Sequence, residues 1–210
     1  MIRILIADDH AIVRHGLKQI IEDSGEMRVV AEAASGIEAL RGIREHECDV
    51  VLLDISLPDM SGVDVLKQVH AVKPHLPVLI LSIYPEDQYA MRLIKAGASG
   101  YLTKESAPAE VVQALLRVAG GKKYISPAVA ELLANEVGNA DEKLPHQSLS
   151  DREYQIFLLL ASAKTVSEIA DTLALSVKTV STYRSRILEK MRLSNNAELM
   201  RYAVDNHLAE

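Results

Sequence analysis

Five times in its first 120 residues the chain passes from a short apolar, β-branched run to a stretch whose apolar side chains recur every three or four positions. The runs predict strands over 2–7, 29–33, 50–54, 78–82 and 100–103. The stretches after them predict helices over 11–24, 36–45, 62–72, 86–96 and 108–119. Ile12, Leu17, Ile20 and Ile21 mark one apolar stripe, and Val63, Leu66 and Val69 mark another. Five strand–helix repeats imply a doubly wound α/β domain built on a five-stranded parallel sheet, with the third strand at its centre.

In an open parallel sheet the ligand crevice forms at the carboxyl ends of the strands. Asp8 and Asp9 follow the first run, Asp54 ends the third, Ser82 ends the fourth and Lys104 follows the fifth. Singly, an Asp after a strand is a helix cap or a solvated loop residue, and Asp9 is a candidate cap for the helix beginning at Ala11. Their conjunction at one edge is what points to chemistry. Three carboxylates brought together repel, so one is protonated or a cation joins them. A small hard divalent ion bound by oxygen suits them, bridging Asp9, Asp54 and the carbonyl of Ser56 beside Asp8. Asp54, held on rigid backbone, can then attack phosphorus as a nucleophile. Lys104 would pair with the phosphoryl oxygens and Ser82 would donate a hydrogen bond to them.

Beyond the fifth helix, Gly120–Gly121 reads as a glycine stop. Ser126–Pro127 opens another helix, over roughly 127–136. Residues 138–147 are polar and acidic and contain Pro145, a composition that predicts a mobile linker. After Ser148 the pattern is helical only. Ser150 with Glu153 and Thr165 with Glu168 form capping boxes, Ser176 caps a long helix to about Met191, and Asn195 with Glu198 opens the last. The middle pair, 165–174 then 177–191, has the proportions of a helix-turn-helix. The expected division is therefore 1–122, a linker over 123–147 that includes a helix, and a small helical domain over 148–210.

A formal net charge of −6 argues against a nucleic-acid partner until it is resolved along the chain. Residues 1–124 hold 14 basic and 17 acidic side chains, 125–147 hold 1 and 4, and 148–210 hold 8 and 8. Within that neutral tail, residues 178–192 carry five cations against Glu189 alone, a local +4. Local charge governs contact with phosphates. The long helix offers Lys178, Thr179, Ser181, Thr182, Ser185 and Arg186 on the face left open when Val180, Ile187 and Leu188 are buried, and Ile169, Leu173 and Leu175 would join the pair. Arg184, Lys190 and Arg192 are the phosphate candidates. In the last helix, Leu199, Met200, Tyr202, Ala203 and Val204 divide between the small core and a two-fold contact between tails.

The segments IADDH, VVLLDISLPDMSG, VLILS and GYLTKES resemble the receiver domain of two-component response regulators, a flavodoxin-like fold. The segment from Leu149 to Met191 resembles the helix-turn-helix of the NarL/FixJ (LuxR-type) family. The resemblance implies that Asp54 is the phosphoacceptor, that Asp8 and Asp9 are the acid pair with Asp9 a direct metal ligand, and that Ser82 and Lys104 are the switch hydroxyl and phosphate-binding lysine. It further implies that Tyr101 is the switch aromatic that turns inward. A sensor histidine kinase would be the phosphodonor, double-stranded DNA the target, and a homodimer the phosphorylated form. Glu105 departs from the family, where proline often follows the lysine. Ser181-Thr182-Tyr183 replaces the family's Lys-x-His, and Ala163 stands where a glycine is usual. Short hydroxyl side chains discriminate bases less than a bidentate Arg or Lys.

The chain is thus expected to be a cytoplasmic, phosphorylation-controlled transcription regulator rather than an enzyme. Its single cysteine, Cys48, cannot pair within the chain and reads as a buried structural thiol in a reducing compartment. Apolar runs such as 76–83 are too short to span a bilayer, and Asp8 and Asp9 interrupt any secretion signal. Two rivals make other demands. A haloacid-dehalogenase-type phosphotransferase would carry its nucleophile after strand one, not strand three. A constitutive DNA-binding regulator would have a receiver that is never phosphorylated.

Overall fold

The protein is described by a computed structural model covering residues 1–138, 144–206 and 208. The chain divides into two compact units, Met1–Leu133 and Ala134–Glu210.

In the first unit the strands β1 (Ile2–Ala7), β2 (Met27–Ala33), β3 (Val50–Asp54), β4 (Val78–Ser82) and β5 (Gly100–Thr103) form one parallel sheet, in the order β2-β1-β3-β4-β5. Helices α1 (Ala11–Asp23), α2 (Gly36–Glu45), α3 (Gly62–Val72), α4 (Glu86–Lys95) and α5 (Pro108–Ala119) alternate with them. Alternation along each strand sorts the core into two layers. Ile4, Ile6, Val50, Leu52, Leu79, Leu81 and Leu102 pack against Leu17 and Ile21 of α1 and Val111, Leu115 and Val118 of α5. On the other face Leu5 reaches Gly42 of α2, where a Cβ would crowd the leucine methyl. The central strands β3 and β4 are buried along their whole length, as strands covered on both faces must be.

β2 starts at Met27, two residues before the apolar run suggested. Exposed Arg28 breaks the run, yet Met27 is buried and pairs with Ile2. Asp9 does not cap α1: the cap residue is His10, without a side-chain cap bond. Gly121 takes φ +74 just past α5, as the glycine stop requires. Helix α6 (Pro127–Gly138) follows, its first turn capped by Ser126 Oγ accepting from Val129 N–H.

Of the expected linker, residues 139–143 lie outside the described residues. The rest is not all loop. Pro145–Ser148 forms a 3-10 turn, and His146 Nδ1 lies 2.9 Å from the Tyr202 hydroxyl, within an aromatic group that includes Tyr154 and Phe157. The second unit then runs α7 (Asp151–Ala161), α8 (Val166–Thr172), α9 (Val177–Met191) and α10 (Asn196–Asp205). Both capping boxes form, and Ser176 and Asn195 cap the other two helices. Phe157, Ile169, Val180, Ile187, Leu199 and Ala203 make the core, with Leu173 and Leu188 at its margin.

Candidate functional site

The first strand delivers Asp8 to the sheet's carboxyl edge. Its amide is tied to the Ala33 carbonyl at 3.1 Å, and its Oδ1 accepts the His10 amide at 2.9 Å, so the side chain folds back over the strand end. Asp54 closes the central strand in the same way, with Oδ1 accepting the Ser56 amide at 3.0 Å. Asp8 and Asp54 are 1% and 2% exposed, while Asp9 beside them stays open to solvent. Gly62, opening α3, passes so close under the Asp54 carbonyl that a Cβ there would collide with it.

Lys104 joins the two buried acids. Its Nζ lies 2.7 Å from Asp54 Oδ2 and 2.6 Å from Asp8 Oδ2, and its backbone amide donates to the Ser82 carbonyl at 2.7 Å. Burial pushes the Asp54 carboxyl above its ordinary range, although Lys104 and the Ser56 amide pull the other way. Burial also acts to lower the Lys104 ammonium, but the charge of Asp54 and the contacts to both acids outweigh it and raise it.

Ser82 is fully buried at the end of β4, its Oγ accepting the Tyr84 amide at 3.1 Å. Tyr101 is turned inward, 1% exposed, and donates its hydroxyl proton to the Tyr84 carbonyl at 2.7 Å. The switch pair suggested by the sequence therefore meets at one residue, Tyr84. Ser56 is half-buried beside Asp54, and its Oγ has no hydrogen-bond partner among the described residues.

One ligand atom each from Asp8, Asp9, His10 and Asp54 lies within 4.8 Å of the others. The Lys104 ammonium meets Asp8 and Asp54, while Asp9 adds a third carboxyl on the solvent side, so the cluster offers hard oxygen donors. That donor set fits a small divalent cation.

Residues missed by sequence reasoning support this edge. Arg14 donates from Nη1 to the Asp8 carbonyl at 2.7 Å, with Glu32 3.8 Å from its Nε. A cation in the first turn of α1 opposes the helix dipole, and that anomaly was its available signal. Asp59 accepts the Gly36 and Ile37 amides at 2.7 and 2.8 Å, fastening the loop after Asp54 to the start of α2. Nothing in the local pattern marks it out.

In the second unit the candidate residues of α9 and of its C-cap, Arg192, separate. Lys178, Ser181, Thr182, Ser185, Arg186 and Arg192 are exposed. Thr182 and Ser185 donate their hydroxyls to the Lys178 and Ser181 carbonyls, and Thr179 Oγ1 meets Ser176 Oγ at 2.8 Å. Arg184 donates from Nε to Asn196 Oδ1 at 2.6 Å. Lys190 reaches buried Glu153 at 2.6 Å, whose same oxygen also accepts the Ser150 amide in the capping box of α7. Ala163 adopts φ 60, the left-handed backbone that the family's glycine would serve.

Residues 4–116 match the family described as response regulator receiver domain, and residues 147–203 match bacterial regulatory proteins, luxR family. The chain is 40% identical to Response regulator GacA of Pseudomonas viridiflava over 215 residues, covering 100% of this chain and 99% of that protein. It is 35% identical to Response regulator UvrY of Escherichia coli K12, covering 99% and 96%. Among solved structures, RcsB of Salmonella enterica serovar Typhimurium bound to promoter P1flhDC in the presence of the phosphomimetic BeF3− superposes with a TM-score of 0.61 at 25% identity, covering 96% of this chain and 97% of that one.

Proposed function

Because this chain belongs to the response regulators that join a receiver domain to a LuxR-type DNA-binding domain, we propose that it is controlled by a phosphoryl group accepted on Asp54 from a sensor histidine kinase. The observation that carries this reading is the Asp54 carboxyl: it ends the central strand, is held by Lys104 at 2.7 Å, and has an oxygen within 4.8 Å of one on each of Asp8 and Asp9. A carboxylate oxygen of Asp54 attacks phosphorus, the P–N bond to the donor imidazole breaks, and the ring nitrogen leaves with the electron pair.

Asp8, Asp9 and Asp54, with the Ser56 carbonyl, would hold Mg2+, which when bound neutralises charge on the phosphoryl oxygens. Lys104 exchanges its contact with Asp54 for one with the new phosphoryl group. Ser82 then turns its hydroxyl to a phosphoryl oxygen and releases the Tyr84 amide. Tyr101, bonded to the Tyr84 carbonyl, senses that loop directly, so the chemical event is converted into a shift of the segment entering α4.

The response is dimerisation and binding to duplex DNA through α9, its exposed N-terminal half in the major groove and its basic residues on phosphates. Partners that are kinase and chromosome correspond to a cytoplasmic protein, and among the described residues no helix is long and apolar enough to cross a membrane.

Intact mass measured after incubation with a small phosphodonor and Mg2+ tests the proposal. The expected result is a gain of one phosphoryl group that Asp54→Asn abolishes. An unchanged mass, or an equal gain in the variant, overturns it. Selection of binding sites from random duplex DNA, with and without phosphodonor, tests the response. Equal affinity in both arms would favour a constitutive regulator.

A further inference from the structure

His10 stands at the cation cluster, and although its carbonyl accepts the Arg14 amide at 3.1 Å at the start of α1, its side chain takes no part in the cap. It is the cap residue of α1, at φ −84 and ψ 106, yet its side chain makes no cap hydrogen bond. Its amide donates to Asp8 Oδ1 at 2.9 Å. Nδ1 is 2.6 Å from Asp9 Oδ1 and 3.3 Å from Asp8 Oδ1. One atom of the ring also falls within 4.8 Å of a ligand oxygen on Asp54. Donors bound to a single ion at about 2.0–2.2 Å stand at most about 4.4 Å apart, so a small closure brings all four together. The ring is 62% exposed, and ligation requires Nδ1 to exchange its contact with Asp9 Oδ1 for the ion.

Building on the reading of this cluster as a cation site, we propose that His10 is a further ligand, a nitrogen donor beside the oxygens of Asp8, Asp9, Asp54 and Ser56, and that it biases the site toward borderline divalent ions such as Mn2+ relative to Mg2+. Imidazole adds affinity for first-row transition ions, whereas Mg2+ prefers oxygen and holds its water. Three carboxylates alone would show less preference. With His10 the identity of the bound ion, and so the loading of the receiver, depends on which divalent ions surround it.

Pulsed electron paramagnetic resonance on the full chain loaded with Mn2+ reads the ligand directly. The expected spectrum shows nitrogen coupling that Mg2+ displaces and that His10→Ala removes. Titrations of both proteins with Mn2+ and Mg2+ should show the Mn2+-to-Mg2+ affinity ratio falling by on the order of tenfold in the variant. No nitrogen coupling in the native protein overturns the proposal. Equal weakening for both ions overturns it too, because it would mean that the ring acts only by orienting Asp9. Absence of any Mn2+ binding that Mg2+ displaces would instead remove the cation site itself, and with it the reading of Asp54 on which the proposal rests.

Discussion

Lys104 is the residue on which the acid cluster balances. Its ammonium is the only full positive charge that touches both Asp8 and Asp54 among the described residues, and both acids are nearly sealed from water. Lys104→Met leaves two buried carboxyls uncompensated and should lower stability by about 3 kcal/mol, the range found when one partner of a buried pair is removed. Urea unfolding in the presence of a chelator measures this, and saturating Mg2+ should recover part of the loss. Ala163 is a smaller case of the same kind. At φ 60 an alanine carries a steric penalty that glycine lacks, so Ala163→Gly should gain about 0.5–1 kcal/mol after allowance for glycine's greater freedom when unfolded. Thermal or urea unfolding would show it, and a loss of stability would mean that the turn tolerates Cβ without strain.

At the scale of elements, α7 and α9 are joined by a pair that also closes a cap. Glu153 is buried, completes the capping box with Ser150 and accepts from Lys190. Burial acts to raise its carboxyl, but Lys190 and the Ser150 amide prevail and hold it below the usual 4.5. A depressed carboxyl contributes stability that is fully present above its unfolded value and lost as pH falls through its folded value. The second unit should therefore weaken below about pH 4.5, and Glu153→Gln should flatten that part of the profile, as circular dichroism melts against pH would record. Lys190→Met should cost about 1–2 kcal/mol, less than a fully buried pair because the ammonium reaches solvent. The same geometry separates Lys190 from the other basic residues of α9. Arg186→Ala and Arg192→Ala should each reduce the salt slope of DNA binding by about 1, and Lys190→Met should reduce it less.

Across the whole molecule the net charge is −6, yet the residues proposed to meet DNA are locally +4. Binding should therefore weaken steeply with salt, with a slope near −4 for each tail engaged if Lys178, Arg184, Arg186 and Arg192 each meet a phosphate. A slope near zero in a filter or anisotropy assay would remove α9 as a phosphate-contacting element. Much of this architecture was legible in the chain because its signals are local. Alternating burial, β-branched runs and capping residues announce each strand and helix within a few positions, and strand ends put Asp8, Asp9, Asp54, Ser82 and Lys104 at one edge by topology alone. β2 escaped by two residues where exposed Arg28 masked a buried Met27. What the sequence by itself determined was thus the order of elements and the residue types at the sheet's edge. The tertiary structure alone decided which charge meets which. Lys104 clasps acids 50 and 96 positions away, Lys190 turns to Glu153 37 positions earlier, and the His10 side chain meets Asp9 instead of making a cap bond to α1. Such choices depend on desolvation and on distances set by packing, which no local pattern encodes.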